Sequence, residues 1–274
     1  MVMSTKDDAG SAATEAAKLS LSRLGAFSLF VLVAIAAVGT SAAKADLILS
    51  TPSGLSVGDR FRFIFVTKGA TPATSTSLAY YDSFVSSDVA TNFGIVTYNG
   101  NPITGWQALG STDTTSAFDH LGGSQANVSV YRPDGTIIAS SLTTNANGLW
   151  SGSILNRNNQ LLDGTTVAPA TGLYPYPWTG TLKTGQKAVF GLNSYTLGNT
   201  DPYYGEAPLT NDQWIESSTD DGTLDSSLIG LSPELTVPGA PSAVPEIDPN
   251  SLGSVLALVL GSLGLLERRR LKAA

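Results

Sequence analysis

Arg60-Phe61-Arg62-Phe63-Ile64-Phe65-Val66-Thr67 decides how this chain folds. Phe61, Phe63 and Phe65 recur at a period of two, so one face of a β-strand is wholly aromatic. Ile64 and Val66 make the opposite face apolar as well, which predicts a central strand buried on both sides. Gly69 and Pro72 then break the pattern. Ser75 or Ser77 is placed to cap a helix whose inward stripe is Leu78, Tyr81 and Val85, extended by Phe84 and Val89.

From residue 92 onward the reading is of short strands. Residues 128–131 and 136–139 flank Arg132-Pro133-Asp134-Gly135, which suits a tight turn with Pro second and Gly fourth. Leu149-Trp150, Ile154-Leu155, residues 178–181, residues 187–192 and Trp214-Ile215 read as further short strands between polar, Gly-containing loops. Residues 232–249, with Pro233, Pro238, Pro241 and Pro245 among small residues, read as a semi-rigid linker. No internal repeat is visible.

The order of these segments resembles a bacterial surface domain of unknown function related to the C-type-lectin-like fold. The resemblance is carried by residues 61–67, by Trp106-Gln107-Ala108-Leu109-Gly110-Ser111, and by residues 114–121. It continues through residues 131–139, Leu149-Trp150-Ser151-Gly152-Ser153-Ile154 and Trp178-Thr179-Gly180-Thr181 to Trp214. It implies a single strand- and loop-rich α+β domain of C-type-lectin-like fold. Two departures limit what else it implies. The chain has no cysteine, and the calcium-dependent sugar motifs Glu-Pro-Asn and Trp-Asn-Asp have no counterpart.

Both ends read as targeting segments. Lys18 and Arg23 precede an apolar stretch over residues 24–38, followed by Ala43-Lys44-Ala45. A charged region, an apolar region and an A-x-A site make residues 1–45 a secretory signal peptide. At the other end, Val244-Pro245-Glu246 precedes an uncharged apolar run over residues 252–266 and then Arg268-Arg269-Arg270. This tail resembles the PEP-CTERM sorting signal of Gram-negative bacteria, which implies an exosortase-type processing enzyme as partner. As a helix the run covers about 22 Å against a hydrocarbon core of about 30 Å. Residues 250–267 are therefore expected to form a short membrane span, with the basic tail 268–274 as a cytoplasmic stop. The expected organisation is a signal peptide (1–45), an exported domain (46–231), a linker with the sorting motif (232–249), the span and the tail. The expected location is an inner-membrane-anchored precursor, then the cell surface or extracellular matrix.

Over residues 46–243 there are 16 acidic and 7 basic residues, a net charge near −9. Nucleic acid is thereby a poor partner, because it rewards basic patches. With no cysteine, no disulfide staples the domain.

The chemistry is sparse. His120 is the single histidine, and its neighbour Asp119 faces elsewhere on either a strand or a helix. One His and no Cys exclude a His- or Cys-based zinc site. No phosphate-binding glycine loop occurs. The chain therefore reads as a non-enzyme without a cofactor motif, calcium being the ion its carboxylates would suit better than magnesium. Glu206, Asp212, Glu216, Asp220, Asp221 and Asp225 form a dense acidic stretch, either a solvated face or hard oxygen ligands, with Asp220 and Asp221 foremost. Tyr174-Pro175-Tyr176-Pro177-Trp178, with Tyr203-Tyr204 further on, reads either as a platform for sugar rings or as packing anchors. The functional expectation is a structural or adhesive surface protein in the exopolysaccharide or biofilm layer. The alternative is a carbohydrate-binding lectin-like module, and a hydrolase comes third.

Intact mass spectrometry of the native product tests the tail. Processing near Pro245-Glu246 is expected to remove the arginine-rich end, and a mature C-terminus at Ala274 would refute it.

Overall fold

In the computed structural model, which describes residues 45–125, 127–167 and 175–239, the strand β2 (Arg60–Val66) is paired along both edges and buried on both faces. On one edge β6 (Val128–Tyr131) runs parallel, with Arg60 opposite Val128 and Phe63 opposite Tyr131. On the other edge β12 (Ile229–Leu231) and β13 (Leu235–Thr236) follow each other antiparallel, pairing with the two halves of β2. Ser232 bridges the gap between them. Its N–H donates to the Phe63 carbonyl at 2.9 Å and its Oγ accepts the Phe63 N–H at 2.9 Å. The sheet is completed by β5 (Gln107–Ala108) beyond β12 and β7 (Ile137–Ala139) beyond β6. A small separate sheet joins β1 (Leu47–Leu49), β3 (Val96–Tyr98) and β4 (Asn101–Pro102). The result is a strand-rich α+β domain.

The pleat of β2 divides the interior in two. Phe61, Phe63 and Phe65 face the helix α1 (Leu78–Phe93), in one cluster with Leu78, Tyr81, Val85, Val89 and Trp106. Edge-on aromatic pairs order this layer: Phe61 lies 5.3 Å from Phe63, and Phe65 lies 5.5 Å from Trp106. Ile64 points the other way, into a second cluster with Leu109, Val130, Ile138, Trp150, Trp214 and Leu231. All four tryptophans are buried, but they do not share one core. Trp106 and Trp178 belong to the first layer, Trp150 and Trp214 to the second.

The helix forms where its apolar stripe predicts, although neither serine caps it. Ser77 stands at the N-cap position without a side-chain cap bond. The backbone of Ser75 is instead held by Tyr81, whose hydroxyl accepts from the Ser75 N–H at 3.0 Å and donates to its carbonyl at 2.8 Å. Burial pushes the Tyr81 phenol well above its ordinary pKa. Asp88 lies in the buried stripe as well. Its carboxylate accepts from the N–H of Gly69 at 2.6 Å and of Lys68 at 3.1 Å, tying the loop after β2 to α1. Burial raises the Asp88 pKa although these donors and Asn92 pull it down. Gly69 is required here by space: a Cβ would stand 2.7 Å from the Asp88 carboxylate.

The turn 132–135 is as read, with the Gly135 N–H on the Arg132 carbonyl at 2.9 Å and Gly135 at φ +83°. Burial opposes the charge on Asp134, but donors from Thr136, Arg132 and Gln160 outweigh it and hold this carboxyl at about 2.

Four expectations are corrected. Leu149-Trp150 and Ile154-Leu155 lie in turns and loops, and Asp212–Trp214 is a 3-10 turn. Leu149, Trp150, Ile154, Trp214 and Ile215 plug the core without extending into a ladder, and Leu155 is exposed. Residues 232–237 are no linker, because β13 completes the edge of β2, so the domain runs past residue 231. Residues 1–44 of the leader, Val244, Pro245, Glu246, the span 250–267 and Arg268, Arg269 and Arg270 lie outside the described residues. No helix among the described residues is long and apolar enough to cross a membrane.

Phe63 is fully buried. Phe63→Ala is expected to cost about 3–5 kcal/mol in a urea titration, and an unchanged midpoint would refute this account of the core.

Candidate functional site

The end of β2 carries an aromatic cleft through a short series of backbone bonds. Thr67 donates its N–H to the Leu228 carbonyl at 2.9 Å, and its Oγ1 accepts the Leu228 N–H at 2.8 Å. Trp178 joins next, its N–H on the Ser227 carbonyl at 2.9 Å and its backbone bridged to both Leu228 and Tyr204. Tyr204 belongs to β10 (Tyr203–Tyr204), which pairs antiparallel with β11 (Ser218–Thr219). Thus three segments distant in sequence meet at Trp178.

Adjacent residues of a strand face opposite ways, and β10 uses this to separate two aromatic groups. Tyr204 meets Tyr176 at 5.7 Å and Trp178 at 6.3 Å, both near edge-on. Tyr203 meets Tyr195 at 5.7 Å and Phe190 at 6.3 Å on the other side. Burial raises the Tyr203 phenol, and Glu216 and Tyr195 add to the effect.

Around Tyr204 the first group lines a cleft of ≈ 260 Å³ together with Asp220, Leu224, Asp225 and Ser226. Trp178 is its floor. The indole is 2% exposed and its Nε1–H donates to the Leu224 carbonyl at 3.3 Å. Tyr176 and Leu224 form the open walls, 43% and 50% exposed. Ser226 anchors the Tyr176 wall, donating its hydroxyl to the Tyr176 carbonyl at 2.6 Å, and its own backbone is held by Thr71. Asp225 makes no hydrogen bond or ion pair among the described residues, so its carboxylate is open to whatever enters. The cleft thus offers aromatic side chains beside carboxylate acceptors.

The sequence-read residues divide accordingly. Of Tyr174, Tyr176 and Trp178, the first lies outside the described residues, the second is a wall of the cleft and the third is a packing anchor beneath it. Asp220 lines the cleft and Asp221 does not. Asp221 accepts from the N–H and Oγ1 of Thr223 at 2.9 and 2.8 Å, which hold its carboxyl below the usual range. Asp220 accepts the N–H of Asp221 at 2.8 Å. Among the described residues no three acidic or histidine side chains gather to hold a metal ion. Asp221 thus closes its own turn, while Asp220 stands at the cleft.

His120 proves to be a tie between helices. Its Nε2 lies 3.1 Å from Asp82 Oδ1 of α1, and the same oxygen accepts the Ala108 N–H at 2.7 Å. Its neighbour Asp119 is occupied at the start of α2 (Ala117–His120), where Ser116 donates to it at 2.6 Å. Tyr204 and Asp225, which belong to two separate groups in the sequence, line one cleft with Leu224, which the sequence did not single out. Leu224, an apolar residue in a polar loop, was the available signal.

Compared with family models and with curated proteins, the chain matches none.

The two aromatics are expected to separate in a thermal melt. Trp178→Ala should destabilise by about 3–5 kcal/mol, whereas Tyr176→Ala should stay within about 0.5 kcal/mol of wild type. Equal losses would show that Tyr176 is a packing residue and that the cleft is not open.

Proposed function

We propose that this is an exported, non-catalytic protein of the bacterial surface or extracellular matrix that holds exopolysaccharide at the Tyr176–Tyr204 cleft. The observation that carries the reading is the half-exposed Tyr176 ring set edge-on to Tyr204 over the buried Trp178, with Ser226 and two carboxylates at the margin. Sugar rings present apolar C–H faces and a rim of hydroxyls. Aromatic walls take the first and carboxylate acceptors the second. A cleft of ≈ 260 Å³ falls below the about 300–1,000 Å³ of sites for drug-sized ligands, which favours a single monosaccharide unit of a chain.

Export and sorting rest on the sequence at the two ends, residues 1–45 and the Val244-Pro245-Glu246 tail with Arg268-Arg269-Arg270, and name an exosortase-type enzyme as processing partner. The lectin-like fold is part of the same proposal. It is supported by short strands, long loops and one main helix following the aromatic strand. Calcium has no role in it.

A glycan array probed with the full-length protein in a polyoxyethylene detergent, which carries no sugar, tests the reading. A defined set of bound glycans is expected, unchanged by calcium chelation and lost in Tyr176→Ala. Absence of any bound glycan, or full binding by that variant, would overturn it.

A further inference from the structure

We infer that the cleft selects glycans carrying free amino groups over neutral and uronic-acid glycans, a specificity that rests on the carbohydrate-binding reading above. Charge decides it. Two carboxylates, Asp220 and Asp225, line the cleft, and no Lys, Arg or His does. Every Lys or Arg that forms an ion pair in the described residues does so elsewhere: Arg60 with Glu234, Arg132 with Asp134 and Lys183 with Asp212. Asp225 is without an ion-pair partner among the described residues, and Asp220 meets only the neighbouring Asp221 N–H.

An ammonium group entering this space meets both of the interactions that favour it. The carboxylates accept charge-assisted hydrogen bonds from its three N–H donors. The ring faces of Tyr176 and Tyr204 attract a cation through their quadrupoles. An N-acetylated sugar keeps the ring stacking and loses both charge terms. A uronic acid adds repulsion from Asp220 and Asp225 and from a domain whose net charge is near −9. The cleft's small volume and its apolar wall at Leu224 favour a ring over a flexible lysine chain, for which stacking contributes nothing.

The test is titration calorimetry on the full-length protein in the same sugar-free detergent. The probes are a β-1,4-linked glucosamine tetramer, its N-acetylated counterpart, a tetramer of mannuronic acid and tetralysine. All are compared at matched ionic strength and at about pH 6, where carboxylates are ionised and amines protonated. The glucosamine tetramer is expected to bind about five-fold or more tighter than the N-acetylated one, with the uronate weakest. The double variant Asp220→Asn, Asp225→Asn is expected to erase that margin, so that the two hexosamine tetramers bind alike, while its melting temperature stays at the wild-type value because both residues are exposed. Equal binding of the two hexosamine tetramers, a margin that survives the double variant, or tetralysine matching the glucosamine tetramer would each overturn the inference. The first two leave carbohydrate binding standing. Failure of every glycan would remove the proposed function itself.

Discussion

Everything in this domain is built on the complete enclosure of β2. Its N–H and carbonyl groups are met on one side by β6 and the Gln160 carbonyl and on the other by β12, Ser232 and β13. Its side chains fill two separate apolar layers. A strand in that position has no access to water, so each unpaired group would carry a full desolvation cost. Arg62 is the exception that shows the constraint. Its guanidinium is buried beside Ile64 and donates to Gln107 at 2.7 Å, while burial lowers its pKa against the pull of Glu234. Gly230 marks how closely the layers approach, since a Cβ there would stand 2.6 Å from the Phe65 ring.

The cleft inherits its geometry from this strand. Thr67, the residue that follows β2, orients Leu228 through two hydrogen bonds, and Leu228 and Ser227 in turn orient Trp178. A rigid floor is what allows Tyr176 and Leu224 to remain exposed without collapsing on each other. Binding surfaces on loops gain precision when the loops are zipped to an invariant scaffold, and here the zipper is only a few residues long. The domain does this without disulfides, since the chain has no cysteine.

Acidity has a different meaning in this structure than composition alone suggests. Several carboxylates close turns or tie segments together: Asp88 holds the loop after β2, Asp134 the turn 132–135, Asp113 the run Ser194 to Asn199, and Asp221 its own turn. Hydrogen bonds from Ser194 and Thr196 in particular hold Asp113 below the usual carboxylate range. Asp220 and Asp225 are left facing the cleft, and they give it a sign.

The alternating phenylalanines of residues 61–65 and the stripe of Leu78, Tyr81 and Val85 were legible without coordinates, because period-two and period-3.6 patterns are local consequences of backbone geometry. The turn at Pro133 and Gly135 was legible for the same reason. What the sequence left open was everything set by contacts between distant segments. Nothing local distinguishes a tryptophan of one layer from one of the other, and the side of β2 it meets depends on the path of the whole chain. Leu235 and Thr236 read as linker because two residues between prolines show no period, yet the open edge of β2 makes them a strand. Asp82 was 38 residues from His120, and Tyr176, Tyr204 and Asp225 came from three distant segments whose meeting only the tertiary structure decides.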